Sequence, residues 1–154
     1  MFAPQKGADA AIVGRLARRL AQLAGDFARD PRTQVMAGAG GGLAGGLWAG
    51  AGAQLRSGGA WVLDLLGFTP RMLASRAVIT GEGRLDRQTL LGKAVAEVAT
   101  RSRQAGVPCH AIAGANAITE FDMRILDFES VSEAGDAATI AHAVDGLVGQ
   151  LATR

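Results

Sequence analysis

Cysteine and histidine are scarce in this chain of 154 residues. Cys109 is the single cysteine, so an internal disulfide is impossible and a four-cysteine zinc site is excluded. The two histidines, His110 and His142, are far apart in sequence, which disfavours a zinc site. Cys109 and His110 fall on a predicted strand, where neighbouring side chains point to opposite faces. They therefore do not form a nucleophile–base pair, and we expect Cys109 in the core.

Two common catalytic motifs are also missing. The sequence has no G-x-S-x-G, which disfavours a hydrolase with a nucleophile elbow. Gly92-Lys93 is followed by Ala94 and lacks the upstream glycine of a Walker A motif, so a P-loop nucleotide site is excluded.

Charge is unevenly distributed along the chain. Residues 1–110 carry 14 basic and 7 acidic side chains, a net charge of +7, whereas residues 111–154 carry 2 and 7, a net charge of −5. A basic first part favours phosphates or other anions as ligands. Its arginines are scattered and not interleaved with aromatic residues, so we expect no nucleic-acid partner.

Targeting and membrane signals are weak. No N-terminal segment combines basic residues, an apolar run and a cleavage site, which argues against secretion. The stretch between Arg32 and Arg56 has no charge and is long enough to span a bilayer. Eight of its residues are glycines that cluster instead of forming one helical face. We therefore expect a soluble cytoplasmic protein without a membrane partner.

The first part of the chain predicts helices. Apolar residues from Val13 to Phe27 recur at steps of three and four, which is typical of an amphipathic helix with Asp9 as its N-cap. In the glycine-rich block that follows, Leu43, Leu47 and Trp48 predict the buried stripe of a short helix. So many glycines weaken a helix, so close packing or a bound ligand must offset the loss.

The second part predicts a strand, a helix and a strand. Residues 77–80 and 109–113 read as buried strands, and a helix ending before Gly106 connects them. Such a βαβ unit implies parallel strands. A third strand is expected within residues 124–131. The last helix begins near Asp136, and its predicted buried residues are Ile140, Val144, Leu147, Val148 and Leu151. The fold class is therefore α/β, with a tentative domain boundary near Ser75.

The loop from Thr80 to Lys93 carries the densest chemistry. In parallel sheets, ligands bind beyond the carboxyl ends of the strands, and this loop leaves such an end. Glu82 and Asp86 could hold Mg²⁺ or accept a hydroxyl proton, and Arg84 and Lys93 could neutralise phosphate. A helix N-terminus near Thr89 would add its dipole. The alternative is a solvated loop whose charges pair among themselves.

Two other segments are open to more than one interpretation. Gly40, Gly42 and Gly45 form a G-x-G-x-x-G with Asp64 nineteen residues further on, as in nicotinamide-dinucleotide sites. Residues 33–36 make a poor preceding strand, so a phosphate cradle or tight helix packing is favoured. Near the N-terminus, Lys6 could contact a ligand or belong to a frayed end.

Four segments taken together resemble the bacterial glycerate kinase family. They are residues 2–8 (FAPQKGA), 38–47 (GAGGGLAGGL), 78–89 (VITGEGRLDRQT) with Gly92-Lys93, and 106–108 (GVP). The resemblance implies phosphorylation of D-glycerate by ATP, with Mg²⁺ as a second cofactor, and leaves open whether the 2- or the 3-hydroxyl reacts. The family's members are well over twice as long, so this chain resembles their C-terminal portion.

The resemblance also implies a domain organisation and a site. Residues 1–74 would be the late part of an inserted α/β domain, and residues 75–154 the C-terminal part of a Rossmann-like domain with a partial parallel sheet. The candidate catalytic residues are Glu82, Arg84, Asp86 and Lys93, with Glu82 and Asp86 as metal ligands. The candidate substrate- and phosphate-binding residues are Lys6, Gly40, Gly41, Gly42, Gly81, Gly83, Gln88 and Thr89.

The same resemblance leaves the chain's own activity open. It is expected to be inactive alone, with an N-terminal half supplied in trans or with a homodimer as partner. The alternatives are a non-catalytic subunit or remnant of a split kinase and, less favoured, a nicotinamide-dinucleotide-binding module.

Overall fold

A computed structural model describes residues 3–153, with the backbone alone for Gln5. The chain forms two compact units that divide between Arg56 and Ser57. Each unit is described separately below.

The first unit is helical. Helix α1 spans Ala10–Gly25, and the Asp9 carboxylate accepts a hydrogen bond of 2.7 Å from the backbone N–H of Ile12, which confirms the predicted cap. Helix α2 spans Leu43–Ala51. The short 3-10 helices of this unit are Pro4–Lys6, Pro31–Thr33 and Ala39–Gly42.

Glycine is needed in this unit for conformation and for close packing. Gly40, Gly41 and Gly42 have φ values of 62°, 71° and 98°, in the left-handed region that side chains disfavour. A Cβ atom on Gly45 would lie 2.9 Å from the backbone oxygen of Ala37, so only glycine allows that approach. For Gly45, tight packing is the interpretation that these contacts support, whereas the phosphate-binding role of Gly40, Gly41 and Gly42 stays a prediction.

The predicted buried stripe on α2 is wrong for two residues. Leu43 is 64% exposed and Leu47 is 48% exposed, whereas the buried residue of α2 is Gly45. The helix packs through its glycine face because that face comes closest to the preceding turn. Trp48 is partly buried, and the guanidinium carbon of Arg29 lies 3.4 Å from its ring centroid.

The second unit contains the sheet. Its helices are α3 (Gly58–Leu65), α4 (Phe68–Leu73), α5 (Ala94–Ala105), α6 (Glu120–Leu126) and α7 (Ala137–Ala152). Its strands are β1 (Val78–Glu82), β2 (Cys109–Ala113) and β3 (Phe128–Glu133). The strands run parallel in the order β1-β2-β3, which confirms the α/β class and the βαβ unit.

The third strand begins later than predicted. Residues 120–126 form α6, and Asp127 ends this helix in the left-handed conformation with φ of 55°. The apolar pair Ile125-Leu126 therefore belongs to a helix, and β3 starts only at Phe128.

Helix α5 and helix α7 pack through different clusters of core residues. One core cluster joins Cys109 and Ala111 to residues of α5 such as Ala99. The other joins Ile112 of β2 to Leu147 of α7. Cys109 is buried as predicted. On α7, however, Ile140 and Val148 are exposed, because this helix contacts the second cluster through Leu147, Val144 and Ala143.

Helices α3 and α4 belong to the second unit by their packing. Leu63 and Phe68 lie against the α5 cluster, although the sequence boundary near Ser75 had grouped them with the first part. The assignment of residues 1–74 and 75–154 to two family domains concerns longer proteins and stays a prediction. Across residues 3–153, no helix combines the length and the apolar character that crossing a membrane requires.

Candidate active site

The candidate site begins at the carboxyl end of β1. Gly81 and Glu82 are the last two residues of this strand, and they pair with Ile112 and Ala113 of β2. A Cβ atom on Gly81 would collide with the backbone oxygen of Ile112, so glycine is required for the strands to approach here. The next residue, Gly83, has open space at its Cβ position.

Glu82 lies at the centre of a polar network. The Thr89 hydroxyl donates a hydrogen bond of 2.5 Å to Glu82 Oε1, and Lys93 Nζ lies 3.3 Å from Glu82 Oε2. Thr89 is fully buried and Glu82 is mostly buried. Both carboxylate oxygens of Glu82 are therefore engaged by side chains from the following eleven residues.

Asp86 forms the turn that holds Thr89 in place. Its Oδ1 accepts a hydrogen bond of 2.8 Å from the backbone N–H of Gln88, and its own backbone N–H donates to Thr89 Oγ1 at 3.1 Å. Arg84 Nε lies 3.8 Å from Asp86 Oδ2. Thr89 thus accepts a bond from Asp86 and donates one to Glu82, which links the two carboxylate residues.

The loop is anchored to the sheet and is not simply solvated. Leu85 is fully buried, its backbone N–H donates to the Ala115 oxygen at 2.9 Å, and its oxygen accepts from the Ala117 N–H at 2.8 Å. The charges do pair among themselves, as the alternative interpretation held. They nevertheless do so in a loop whose backbone is hydrogen-bonded, through Leu85, to the segment that follows β2.

The cationic side chains of the loop keep contact with solvent. Arg84 is 63% exposed and Lys93 is 38% exposed, so both can contact an anion. Lys93 also precedes α5, a twelve-residue helix whose N-terminus carries a partial positive charge. The side-chain oxygen of Gln88 is buried and, in the part of the chain that the structure describes, accepts no hydrogen bond. The arrangement is suited to binding and orienting a negatively charged ligand.

Carboxylate oxygens suit Mg²⁺, and two carboxylates are the number that nucleotide sites commonly contribute besides phosphate oxygens. Glu82 and Asp86 fit that donor set in chemical type. No group of three or more histidine, cysteine, aspartate or glutamate side chains among the described residues could hold a metal. A magnesium ion here would therefore need further ligands from a bound phosphate.

The remaining predicted site residues belong to the first unit. Lys6 is exposed at the end of a 3-10 helix, and Gly40, Gly41 and Gly42 form the left-handed turn before α2. Residues 33–36 do not form a strand before these glycines. Asp64 lies on α3, where it pairs with Arg101 at 2.6 Å. The structural context of a dinucleotide fingerprint is thus lacking in the described chain.

Asp122 and His110 are buried polar residues that sequence reasoning missed. Asp122 on α6 is buried, and hydrogen bonds from the side chain and backbone of Thr119 hold its pKa below the usual range, helped by the charge of Arg87. His110 is buried, with Nδ1 2.8 Å from the Ser130 hydroxyl. The T-x-x-D pattern of a helix cap could have indicated the first group. No local pattern indicates the second, because β3 brings Ser130 to His110.

The chain is similar in sequence to a known protein family and to several known proteins. A family model described as the glycerate kinase family matches residues 1–146. An uncharacterized protein of Mycobacterium tuberculosis is 35% identical over 166 residues, which cover all of this chain and 43% of that protein. A glycerate kinase of Neisseria meningitidis is 42% identical over 86% of this chain and 35% of its own length.

The solved structures agree with these matches. A crystal structure described as that of a glycerate kinase 2 from Salmonella typhimurium LT2 has a TM-score of 0.50 and 34% identity, over 86% of this chain and 35% of that one. The α/β fold is thus shared with the matched stretch of that glycerate kinase structure. The chain belongs to the glycerate kinase family, which confirms the resemblance, and it spans less than half the length of these relatives.

Proposed function

We propose that this chain takes part in the transfer of a phosphoryl group from ATP to a hydroxyl group of D-glycerate. The observation that carries the proposal is the network of Glu82, Thr89 and Lys93 at the carboxyl end of β1. Family membership supports the class of reaction.

Phosphoryl transfer depends mainly on positioning and on neutralising charge. Lys93 and Arg84 are solvent-accessible cations of the loop, and they would bind a phosphate group or the glycerate carboxylate. Glu82 holds the Lys93 ammonium at the start of α5 by charge and hydrogen bonding. Because Thr89 fixes the other carboxylate oxygen, Lys93 is presented to the ligand in a restricted position.

Asp86 would orient the reacting hydroxyl or accept its proton. Its position is set by the turn that ends in Thr89. Mg²⁺, when bound by Glu82 and Asp86 with phosphate oxygens, would supply neutralisation of phosphate charge. Gly81 and Gly83 leave room for the ligand to approach the backbone, and the buried Gln88 oxygen would accept a hydrogen bond from it. Gly40, Gly41, Gly42 and Lys6, which lie in the first unit, stay proposed substrate- or phosphate-binding residues of that unit.

The wider setting of the chain is proposed with the reaction. In a family member, residues 1–74 would belong to an inserted domain and residues 75–154 to a Rossmann-like domain of a cytoplasmic enzyme. Less than half of the family length is spanned here, so the chain is expected to need a further segment for activity, in trans or as part of a longer protein. A homodimer and a non-catalytic subunit are the alternatives.

The proposal can be tested in a hybrid protein. The matched residues of this chain would replace the corresponding stretch of the Neisseria meningitidis glycerate kinase, and ADP release would be measured with ATP and D-glycerate. We expect release from the hybrid and none from the chain alone. Asp86→Asn should lower turnover by about 10²–10⁴-fold, as for loss of a general base.

A matched carboxylate serves as control. Asp145 is exposed on α7, so Asp145→Asn should leave turnover unchanged. An Asp86→Asn hybrid with the turnover of the unsubstituted hybrid would remove Asp86 from the site, and a folded hybrid without glycerate-dependent ADP release would contradict the proposed reaction.

A further inference from the structure

The first unit has almost no hydrophobic core. Among the described side chains of residues 3–56, only Ala24, Pro31 and Gly45 are buried, and all three are small. Both clusters of buried apolar residues lie after residue 56. Burial of apolar surface is the main favourable term in folding, so this unit requires apolar contacts beyond its own.

Helix α1 exposes an apolar face in this unit. We define the α1 face as Leu16, Leu20, Leu23 and Phe27, which recur at steps of four, three and four. Their exposed fractions lie between 37% and 51%. Arg15, Arg18 and Arg19 occupy other positions around the helix. An amphipathic helix of this kind normally buries its apolar stripe.

A groove lies beside this face. Its volume is about 680 Å³, and its walls include Leu20, Leu23, Phe27 and Pro31 together with glycines of the 38–46 segment. Four further apolar residues of this unit are exposed and are sequence neighbours of residues that line the groove: Val35, Met36, Leu43 and Leu47. A small ligand could fill the groove, but it would leave these neighbours uncovered. Clusters of exposed apolar residues are typical of protein–protein contacts.

The length of the relatives indicates what covers the face. The stretch matched in the Mycobacterium tuberculosis protein is 43% of that protein, so more than half of it lies outside the match. A second copy that docks through its own first unit is a poorer occupant, because residues 1–56 carry seven basic and three acidic side chains. Two such units, each with a net charge of +4, would repel one another.

We propose that the α1 face and its groove bind the part of a glycerate kinase that lies outside the matched stretch, whether it is joined to this chain or separate. This inference rests on the proposed function only in naming a kinase segment as the partner. Leu20 and Leu23 insert into that segment, and the first unit acquires its missing core from the contact.

The test uses a hybrid in which this chain replaces the matched 166 residues of the Mycobacterium tuberculosis protein. A photo-crosslinking amino acid is placed at position 20, and in a matched control at position 19 of the same helix. After irradiation, the crosslinked peptides are identified by mass spectrometry. We expect position 20 to crosslink to the Mycobacterium tuberculosis segment and position 19 to give at least tenfold less of that product.

Other crosslinks would overturn the inference. Products between two copies of α1 would identify a homodimer. Products with residues 57–153 would show that the second unit of this chain packs against the α1 face. Equal yields from positions 19 and 20 would show that the face is not a contact. The readout does not depend on catalysis, so a hybrid without kinase activity that still crosslinks as expected would overturn the proposed function alone.

A second measurement addresses folding. Leu20→Asp should lower the melting temperature of the hybrid by several degrees and that of the isolated chain by much less, because only the hybrid buries this side chain. Arg19→Asp should leave both nearly unchanged. An equal effect of Leu20→Asp in the two proteins would contradict the proposed contact.

Discussion

Thr89 is the residue that joins the two carboxylates of the candidate site. It is fully buried, accepts the Asp86 backbone N–H at 3.1 Å and donates to Glu82 at 2.5 Å. We expect Thr89→Val, which keeps the shape and removes the hydroxyl, to lower the free energy of unfolding by about 1–3 kcal/mol. The control is Thr100→Val on α5, where no side-chain hydrogen bond is lost in the described chain. Urea unfolding measures both, and equal effects would contradict the account.

Cys109 has a buried thiol, and its burial is expected to make it unreactive. Burial raises the pKa of its thiol to about 11 from an ordinary value of 9.0, while a hydrogen bond with Ser102 acts in the opposite direction. The thiol is therefore neutral at pH 8 and should not react with a disulfide reagent until the protein unfolds. Absorbance at 412 nm with Ellman's reagent measures this. Complete labelling of the folded protein within minutes would contradict the burial of the thiol.

The same shift has a direct consequence for stability. The pKa of the Cys109 thiol is higher in the folded protein than in the unfolded chain. The contribution of the protonated thiol to the free energy of unfolding is therefore fully present below pH 9.0 and is lost as the pH rises towards about 11.

At the scale of elements, α6 depends on a reciprocal cap. Thr119 Oγ1 donates to Asp122 Oδ2 at 2.8 Å, and the Asp122 backbone N–H donates to Thr119 Oγ1 at 3.2 Å. Thr119→Ala should destabilise the protein by about 1 kcal/mol at pH 7. Thermal unfolding checks this, with Thr139→Ala in the corresponding but exposed cap of α7 as a comparison.

The cap of α6 should also be sensitive to acid. Hydrogen bonds from Thr119 lower the pKa of Asp122 below its ordinary value of 3.8, so its stabilising effect is present above that pH and is lost as the pH falls through the lower folded pKa. The difference in stability between the unsubstituted protein and Thr119→Ala should therefore shrink below about pH 4. A difference independent of pH would contradict the cap.

Elements with a clear local signal could be predicted from the sequence. Val78, Ile79 and the run after Pro108 indicated β1 and β2, because apolar β-branched residues bounded by glycine or proline are typical of buried strands. Helix α6 was missed because it is only seven residues long and its apolar residues resemble a strand. The exposure of Leu43 and Ile140 was not predictable either, since burial depends on which surface packs against a helix.

At the scale of the whole molecule, the sequence predicted which residues share the candidate site better than what they do. Glu82, Asp86, Thr89 and Lys93 were grouped because they follow one strand end, and the structure links them by hydrogen bonds and ion pairs. The contact between Glu82 and Lys93 is visible only in the structure, because it depends on how the loop folds back on the strand end. The small number of buried residues in 3–56 could not be predicted either. The amphipathic pattern of α1 indicates an apolar face but not whether other residues pack against it.

The central claim is that the loop after β1 binds the ligand through its cations, and Lys93 tests it most directly. In the hybrid with the Neisseria meningitidis glycerate kinase, we expect Lys93→Met to lower the rate of ADP release by about 10²–10³-fold, as for loss of a charge-stabilising donor. Arg76→Met, at an exposed arginine before β1, should have no effect. A Lys93→Met hybrid that releases ADP at the unsubstituted rate would contradict the account.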